Sequence, residues 1–221
     1  MGTGSKSTGL FVTLEGGEGS GKTTQIKMLA ATLTAAGHEV ITSREPGGTA
    51  EAEKIRDLLV QRDGGDWSAI AECLLLFAAR HMHYETLIKP ALARGAVVIS
   101  DRFTDSTRAY QGYGMGMDLQ DIEIIKQKAI GDVEPDVTFI MDIPVQAGLE
   151  RSMKRLSDEG TNKEQSEDRY EARKIEFHEK LRQGYLMIAK QNTKRCHVID
   201  AAQNIEDIQT QIMSDIKGML S

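Results

Sequence analysis

Three features that would each define a class of protein are scarce or missing in this sequence of 221 residues. The two cysteines, Cys73 and Cys196, have no metal-ligand spacing, so we expect reduced thiols rather than a disulfide framework or a zinc module. No apolar run reaches the length of about 18 residues that predicts a membrane-spanning helix. Basic residues are not in excess, because the net charge is -6 and the pI is near 5.5. This charge argues against a surface that binds the backbone of a nucleic acid.

The rest of the composition is typical of one folded domain. Apolar residues make up 40% of the chain and charged residues 27%, and the length is sufficient to bury a sizeable core. We expect a single domain over residues 10–221. The first nine residues, MGTGSKSTG, lack the apolar stretch of a secretion signal. We therefore expect them to be a disordered leader or an expression remnant, and the protein to be cytoplasmic.

Short apolar runs alternate with amphipathic ones, which predicts an α/β fold with a parallel sheet covered by helices on both faces. The predicted strands are Leu10–Glu15, Glu39–Ser43, Ala96–Ser100, Val137–Met141 and His197–Ile199. The predicted helices are Thr23–Ala36, Ala50–Gln61, Ser68–Arg94 with a kink at Pro90, Thr104–Gln111, Asp118–Ile130, Val145–Leu156, about Asp168–Gln191, and Ile205–Leu220. Sites in such sheets collect at the carboxyl ends of the strands.

The most informative stretch, LFVTLEGGEGSGKTTQ, begins at Leu10 and runs from a strand through a glycine-rich segment into a helix. Its residues 16–23 match the pattern G-x-x-x-x-G-K-[ST]. Glycines let backbone N–H groups surround phosphate oxygens, and the helix dipole favours the same anion. Lys22 would reach the β and γ phosphates, and the hydroxyl of Thr23 would complete a Mg²⁺ shell. The residues predicted to bind a nucleoside triphosphate, most simply ATP, are Gly16, Gly17, Gly19, Ser20, Gly21, Lys22, Thr23 and Thr24.

A triphosphate site alone does not distinguish a nucleotide-driven switch from a kinase. The guanine signature N-K-x-D is absent, since the nearest match, NKEQ at residues 162–165, lacks the aspartate. Two further segments instead indicate an acceptor site, REPGG at 44–48 and LLLFAARHMH at 74–83. Phe77 and Arg80 share a helix face, where they could stack on a base and hydrogen-bond its edge. Taken alone, a phenylalanine at this position is more often a core residue.

The segment VVISDRFTDSTRAYQGYG at residues 97–114 places an acid and a base directly after a buried strand. Asp101 would hold Mg²⁺ through water or orient an attacking oxygen, and Arg102 would hold the acceptor phosphate. A surface salt bridge between Asp101 and Arg108 is the alternative. The helix that follows carries two i, i+4 pairs, which are Thr107 with Gln111 and Ser106 with Tyr110.

Together with FHEKLRQGY at residues 177–185, these segments resemble bacterial thymidylate kinases in order and spacing, over nearly the whole chain from Leu10. The resemblance implies a P-loop NTPase fold with a five-stranded parallel sheet and a mobile lid. It implies transfer of the γ-phosphate of ATP to dTMP, giving dTDP and ADP, as a step of dTTP synthesis. It also implies Mg²⁺ as a cofactor and a homodimer.

The same resemblance assigns roles within the acceptor site. Glu18 would contact the 3′-hydroxyl of the deoxyribose, Arg56 and Arg102 would hold the dTMP phosphate, and Tyr110 would crowd the 2′ position. Phe77 would stack on thymine, Arg80 would donate to a thymine carbonyl, and the remaining residues would shape the pocket or read the base edge. The residues assigned to dTMP are Glu18, Glu45, Pro46, Arg56, Phe77, Arg80, Arg102, Ser106, Thr107, Tyr110 and Gln111.

The phosphate loop contains no arginine, so the resemblance places the catalytic arginine in a lid over about residues 151–170. We expect Arg155, with Arg151 as the second choice, to stabilise the charge on the transferred phosphoryl group. Lys154 shares their helix face, Arg169 could also close over ATP, and the polar run at 157–168 would be the mobile flap. A solvated basic helix face is the alternative. The residues predicted to be catalytic are Lys22, Asp101, Arg102, Arg151 and Arg155.

Two other functions remain open from the residues themselves. One is a kinase for another nucleoside or deoxynucleoside monophosphate, and the other is a binding module that ATP switches between shapes. A kinase must release ADP in response to an acceptor, whereas a switch must not.

Overall fold

The sheet contains five parallel strands in the computed structural model, which describes residues 9–60, 65–158 and 173–220. The strands are β1 (Leu10–Glu15), β2 (Val40–Arg44), β3 (Val97–Asp101), β4 (Val137–Asp142) and β5 (Cys196–Asp200). They lie in the order β2-β3-β1-β4-β5. All five predicted strands are confirmed, each to within one or two residues at either end.

The described helices follow the predicted alternation with the strands. They are α1 (Lys22–Ala35), α2 (Ala50–Val60), α3 (Ala69–His83), α4 (Lys89–Ala93), α5 (Thr104–Thr107), α6 (Leu119–Ile130), α7 (Val145–Asp158), α8 (Ile175–Gln191) and α9 (Ile205–Ile216). Two π-helical segments, Tyr84–Ile88 and Arg108–Gly114, join α3 to α4 and extend α5. No helix among these residues has the length and apolarity to cross a membrane.

Alternate side chains of β1 pack into the apolar clusters on opposite faces of the sheet. Leu10, Val12 and Leu14 pack with α1 and α9 on one face of the sheet, while Phe11 packs with α3, α4 and α6 on the other. A third cluster joins α8 to the Arg108–Gly114 π-helix on the face opposite α1. The sheet is therefore covered on both sides, as the near-continuous apolar runs of its strands predict.

Helix boundaries differ from the prediction in several places, and three of these differences have a clear physical context. The region predicted as one helix from Ser68 to Arg94 is divided into α3, the Tyr84–Ile88 π-helical turn and α4, which contains Pro90. Proline has no N–H for the i→i−4 ladder, and a widened turn accommodates that loss. α8 begins at Ile175 rather than near Asp168, and the residues between 159 and 172 lie outside the described part of the chain. α9 ends at Ile216 rather than Leu220, where Gly218 lowers the helix propensity.

The carboxyl ends of the strands lie side by side at one edge of the sheet. Leu14 of β1 and Arg44 of β2 both pair with Asp101 of β3, and Asp142 of β4 pairs with Asp200 of β5. The loops that leave these ends therefore converge, and they carry the candidate site.

Candidate active site

The phosphate loop leaves β1 in conformations that favour glycine. Gly16 has φ 136° and Gly19 has φ 65°, both in the region that side chains disfavour. A Cβ on Gly16 would also lie 2.6 Å from the carbonyl oxygen of Met141 on β4. The loop is thus held close to the neighbouring strand and enters α1 at Lys22.

The ammonium group of Lys22 lies inside this loop. Its Nζ donates to the carbonyl oxygens of Gly16 and Gly17, at 3.1 and 2.9 Å. Burial, together with the guanidinium of Arg102, holds the pKa of Lys22 below its ordinary value. A phosphate in the loop would offer this buried charge a stronger partner than the carbonyls.

A cavity lies over the phosphate loop, and we call it the donor cavity. It is lined by Glu18–Thr24, Lys27, Arg44, Glu45, Arg56, Asp101, Arg102, Arg151, Ser152 and Arg155. The structure therefore brings both predicted lid arginines, Asp101 and most of the predicted ATP-binding residues to one space. Lys154 was expected to share their helix face but does not line this cavity, since it is turned by about 100° from Arg155. Arg169 lies outside the described residues.

A second cavity lies beside the first and matches the predicted acceptor site. We call it the acceptor cavity. It is lined by Glu18, Glu45, Pro46, Arg56, Leu59, Val60, Leu76, Arg80, Arg102, Phe103, Ser106, Thr107, Tyr110 and Gln111. All the residues assigned to dTMP except Phe77 line it.

Phe77 points away from the acceptor cavity, and its predicted role as a stacking ring is corrected on this ground. Its side chain is buried in the core between α3, α4 and the sheet. The guanidinium of Arg80 lies over its ring, 4.6 Å from the centroid. Adjacent helical residues are turned by about 100°, and Leu76 is the one that lines the cavity. The ring of Phe77 therefore packs against the guanidinium of Arg80 in the core, and Leu76 provides the apolar surface of the cavity wall.

Arg80 is fixed by three partners although it is almost completely buried. Its Nε donates to Glu45 at 2.6 Å, Nη1 to the hydroxyl of Thr107 at 3.0 Å and Nη2 to the carbonyl of Phe103 at 3.1 Å. A guanidinium has five N–H groups in a rigid plane, and these contacts use three of them. Among the residues that the structure describes, the other two have no partner and are available to a ligand. Arg80 can therefore hydrogen-bond a carbonyl oxygen that enters the acceptor cavity.

Glu45 is in turn oriented by His83, which the sequence did not single out. The Nδ1 of His83 lies 2.9 Å from Glu45, and its Nε2 lies 2.6 Å from the hydroxyl of Ser43. These contacts connect β2 to the guanidinium of Arg80 and restrict its rotation.

Arg102 lies at the junction of the two cavities. It is the one non-glycine residue with a positive φ, 72°, in the described ranges. Its guanidinium donates to Glu18 at 2.9 Å and to the hydroxyls of Ser106 and Tyr185, at 3.2 and 3.0 Å. The hydroxyl of Tyr110 also donates to Glu18, at 3.1 Å.

The charge state of Glu18 follows from this junction. Burial alone would raise the pKa of its carboxyl, but the guanidinium of Arg102, and next the ammonium of Lys22, outweigh burial and hold the pKa below its ordinary value. Glu18 is therefore an anion between the two cavities, and it can accept a hydrogen bond from a hydroxyl.

A second buried acid, Glu15, lies beneath Arg102 and was not predicted. It accepts from the backbone N–H of Phe103 at 2.7 Å and from the hydroxyls of Ser106 and Tyr185. Burial, with the nearby charge of Asp105, raises the pKa of Glu15 to about 7. Ser106 thus belongs to the support of Arg102 as well as to the wall of the acceptor cavity.

The alternative salt bridge between Asp101 and Arg108 is wrong. Arg108 donates instead to Asp105, Glu123 and Glu134, at 2.7, 2.6 and 2.6 Å. Asp101 lines the donor cavity and is left for a role there.

The loop between β5 and α9 is part of the site and was missed from the sequence. With Gly19–Gly21, Thr24 and Arg151 it lines a third cavity, which we call the base cavity. Nη1 of Arg151 donates to the carbonyl of Ala201 in this loop, at 2.8 Å. The loop lines the cavity with short residues such as Ala201 and Asn204, and no sequence signature identifies it.

A Mg²⁺ ion fits the residues at the donor cavity. Thr23 and Asp101 both line it, and they supply a hydroxyl and a carboxylate, the oxygen ligands that Mg²⁺ prefers. No group of three or more metal-ligating His, Cys, Asp or Glu occurs in the described residues. This fits an ion that is bound by one or two side chains and substrate phosphates.

This chain is similar to known proteins over nearly its whole length. The family model described as thymidylate kinase matches residues 14–212. The thymidylate kinase of Caulobacter vibrioides is 46% identical over 208 residues, which cover 94% of this chain and 95% of the relative. That of Pseudomonas putida is 45% identical over 213 residues, which cover 96% and 97%. The crystal structure of thymidylate kinase from Ehrlichia chaffeensis superposes with a TM-score of 0.73 at 35% identity, covering 94% of this chain and 98% of that one.

Proposed function

Because this chain belongs to the thymidylate kinase family, we propose that the residues of its two adjoining cavities divide the family's reaction between them. The protein transfers the γ-phosphate of ATP to dTMP, giving dTDP and ADP. In our proposal ATP phosphates occupy the donor cavity and dTMP occupies the acceptor cavity.

One observation carries this proposal, which is that the two cavities share part of their lining. Glu18, Glu45, Arg56 and Arg102 line both. A phosphate bound from the acceptor side and a γ-phosphate bound from the donor side would meet at these residues. Two arginines at the meeting point offset the repulsion between the phosphates, and such positioning provides most of the catalysis in phosphoryl transfer.

We assign the acceptor residues by their contacts. Arg56 and Arg102 hold the dTMP phosphate, Glu18 accepts from the 3′-hydroxyl, and Tyr110 closes the space at the 2′ position. Arg80 donates to a thymine carbonyl, and Gln111 reads the adjacent ring nitrogen, with Thr107 fixing Arg80. Leu59, Val60 and Leu76 provide the apolar wall that the base packs against.

We assign the donor side in the same way. Lys22 and the N–H groups of the loop bind the β and γ phosphates, and the adenine lies in the base cavity beside Arg151 and the β5–α9 loop. Thr23 and Asp101 would hold Mg²⁺, which would neutralise charge at the phosphates. Arg155 stabilises the charge on the transferred group.

We also propose a homodimer that works in the cytoplasm, where its nucleotide substrates are found. α3 exposes Ile70 by 46% and Leu74 by 53%, one turn apart, and the neighbouring α2 exposes Leu58 by 47%. Apolar side chains grouped in this way favour burial against a second copy of the chain.

Release of ADP tests the assignment. We would measure Mg²⁺-dependent ADP release from ATP without an acceptor and then with dTMP, dUMP, dCMP, dGMP or ribo-TMP. We expect release that depends strongly on dTMP. Preference for another monophosphate would remove the base-reading roles, and equal release with and without an acceptor would favour an ATP-driven switch.

A further inference from the structure

Glu72 is a buried carboxylate that none of the assignments above uses. It lies on α3, one turn before Leu76 of the acceptor wall, and its side chain is fully buried. Its Oε2 accepts a hydrogen bond from Nε2 of Gln111, at 2.8 Å. Glu72 therefore lies directly behind a residue that lines the acceptor cavity.

This contact decides which end of the Gln111 amide is available to a ligand. A glutamine amide has a carbonyl oxygen and an NH₂ group of nearly the same shape, and its hydrogen-bond partners fix its orientation. A carboxylate accepts hydrogen bonds and cannot donate them, so Glu72 holds the NH₂ end. The Oε1 of Gln111 is left as an acceptor, and it has no hydrogen-bond partner among the residues that the structure describes.

A buried acceptor without a partner is costly unless a ligand satisfies it. The thymine ring carries a donor at N3, between two carbonyl oxygens, whereas the cytosine ring carries an unprotonated acceptor at N3. Oε1 of Gln111 would bind the N3–H of thymine and oppose the N3 lone pair of cytosine.

We propose that Glu72 is a specificity-determining residue, which positions Gln111 so that the acceptor cavity selects a base with a donor at N3. This rests on the proposed function, in which Gln111 reads the ring nitrogen. Glu72 touches no substrate itself and acts only through the amide. Arg80 opposes cytosine separately, because its N–H groups face a carbonyl in thymine and an amino group in cytosine.

The test is the ratio of kcat/KM for dCMP to kcat/KM for dTMP, measured in four variants. In Glu72→Gln the new amide can donate to Oε1 of Gln111, so the Gln111 amide can turn and present NH₂ to the cavity. We expect the ratio to rise about tenfold and kcat/KM for dTMP to fall, because an NH₂ donor would then face the base where Oε1 accepted before. The rise is limited because Arg80 still discriminates against cytosine. The double variant Glu72→Gln with Gln111→Glu exchanges the two groups, keeps an acceptor facing the cavity and should restore the ratio to within threefold of the original.

Two further variants separate the possible failures. Glu134→Gln removes a carboxylate that pairs with Arg108 on the same π-helix, outside the cavity. It should lower thermal stability while leaving the ratio unchanged. Gln111→Ala should itself raise the ratio, and an unchanged ratio there would overturn the proposed role of Gln111.

A different result would overturn the role of Glu72 alone. In that case Gln111→Ala raises the ratio, whereas Glu72→Gln lowers kcat/KM for dCMP and for dTMP by the same factor. If Glu72→Gln does not fold, the ratio measured in the double variant Glu72→Gln with Gln111→Glu tests the proposal. A relaxed ratio of tenfold or more in the exchanged pair would also overturn the proposal.

Discussion

Glu18, Arg102 and Tyr110 hold one another at the place where the two cavities meet. The carboxylate of Glu18 accepts from both neighbours, and the guanidinium of Arg102 lies 5.1 Å from the centre of the Tyr110 ring. A substrate that enters here must form contacts with groups already aligned by their own pairing. Each side chain can therefore be tested for one property of the substrate.

Tyr110 provides the test for the sugar. Replacing Tyr110 with Ala should open the space beside Glu18, so we expect the ratio of kcat/KM for ribo-TMP to that for dTMP to rise on the order of 10²-fold. Tyr110→Phe keeps the ring and loses only the hydroxyl, so it should leave the ratio near its original value. An equal rise in the Phe variant would show that the hydroxyl rather than ring volume excludes the ribonucleotide.

Arg155 provides the test for transferred charge. We expect Arg155→Ala to lower kcat by roughly 10³-fold, because an arginine of this kind stabilises the transition state more than the bound substrate. Lys154→Ala is the matched control, since that residue lies on the same turn of α7 but does not line the donor cavity. Steady-state kinetics of both variants, and of Arg151→Ala, decide the assignment. Turnover within threefold of the original in both arginine variants would remove the lid from catalysis.

Glu15 gives a prediction for pH. Its folded pKa of about 7 exceeds the ordinary value of 4.5 because of burial and then the charge of Asp105, with opposing contributions from Ser106 and Arg102. The folded state therefore holds a proton that the unfolded state has released between these two values, and stability falls as pH rises from 4.5 to 7. Lys22 and Cys196 also face this carboxyl.

Glu15→Gln should remove that dependence. We expect the stability of the original protein relative to the variant to fall by on the order of 3 kcal/mol between pH 4.5 and pH 8. Denaturant unfolding of both proteins at the two pH values measures this difference. A pH-independent difference would show that Glu15 titrates with an ordinary pKa in the fold.

The Arg108–Gly114 π-helix explains why one short segment carries much of the acceptor wall. Tyr110 and Gln111 on it, with Ser106 and Thr107 on α5, all line the cavity. Widened helical turns occur often at functional sites. Its packing against α8 is close, because a Cβ on Gly184 would lie 2.7 Å from Cβ of Tyr113.

Patterns of spacing predicted some of these positions and failed at others for physical reasons. The i, i+4 spacing identified Thr107 and Gln111, and the loop pattern identified residues 16–23, since both depend on local geometry. The i, i+3 spacing wrongly placed Phe77 in the cavity with Arg80, because tertiary packing against the core sets the rotation of α3 and exposes Leu76 there instead. Glu15 was missed because a strand position gives no sign that its carboxyl supports a distant arginine.

The contact between α7 and the phosphate loop gives a further prediction. A Cβ on Gly148 of α7 would lie 2.5 Å from the backbone carbonyl oxygen of Glu18. In Gly148→Ala the helix or the loop must therefore shift, and we expect KM for ATP to rise at least about tenfold, since small displacements of positioning groups are costly. Gly218→Ala is the control, because nothing lies within 4 Å of a Cβ there. An unchanged KM for ATP would mean that α7 and the loop move apart without cost.

The last prediction concerns the number of chains in the molecule, since we propose that a second copy covers the exposed face of α3. Leu74 is more exposed than Leu58 and Ile70, the other exposed apolar residues considered on α2 and α3. A charged side chain at this position would be buried in a dimer but solvated in a monomer, so it should oppose dimerisation. We expect the original protein to have a solution mass of twice 24.4 kDa and Leu74→Glu to have the mass of one chain. Light scattering after gel filtration measures both.

Met187→Glu is the control for this substitution, since Met187 has a similar exposure, 41%, but lies on a different helix, α8. It should remain a dimer. A dimer that survives Leu74→Glu would place the interface elsewhere. Loss of dimerisation together with a fall in kcat/KM for dTMP would show that the partner supports α3, and through α3 the position of Arg80 in the acceptor cavity.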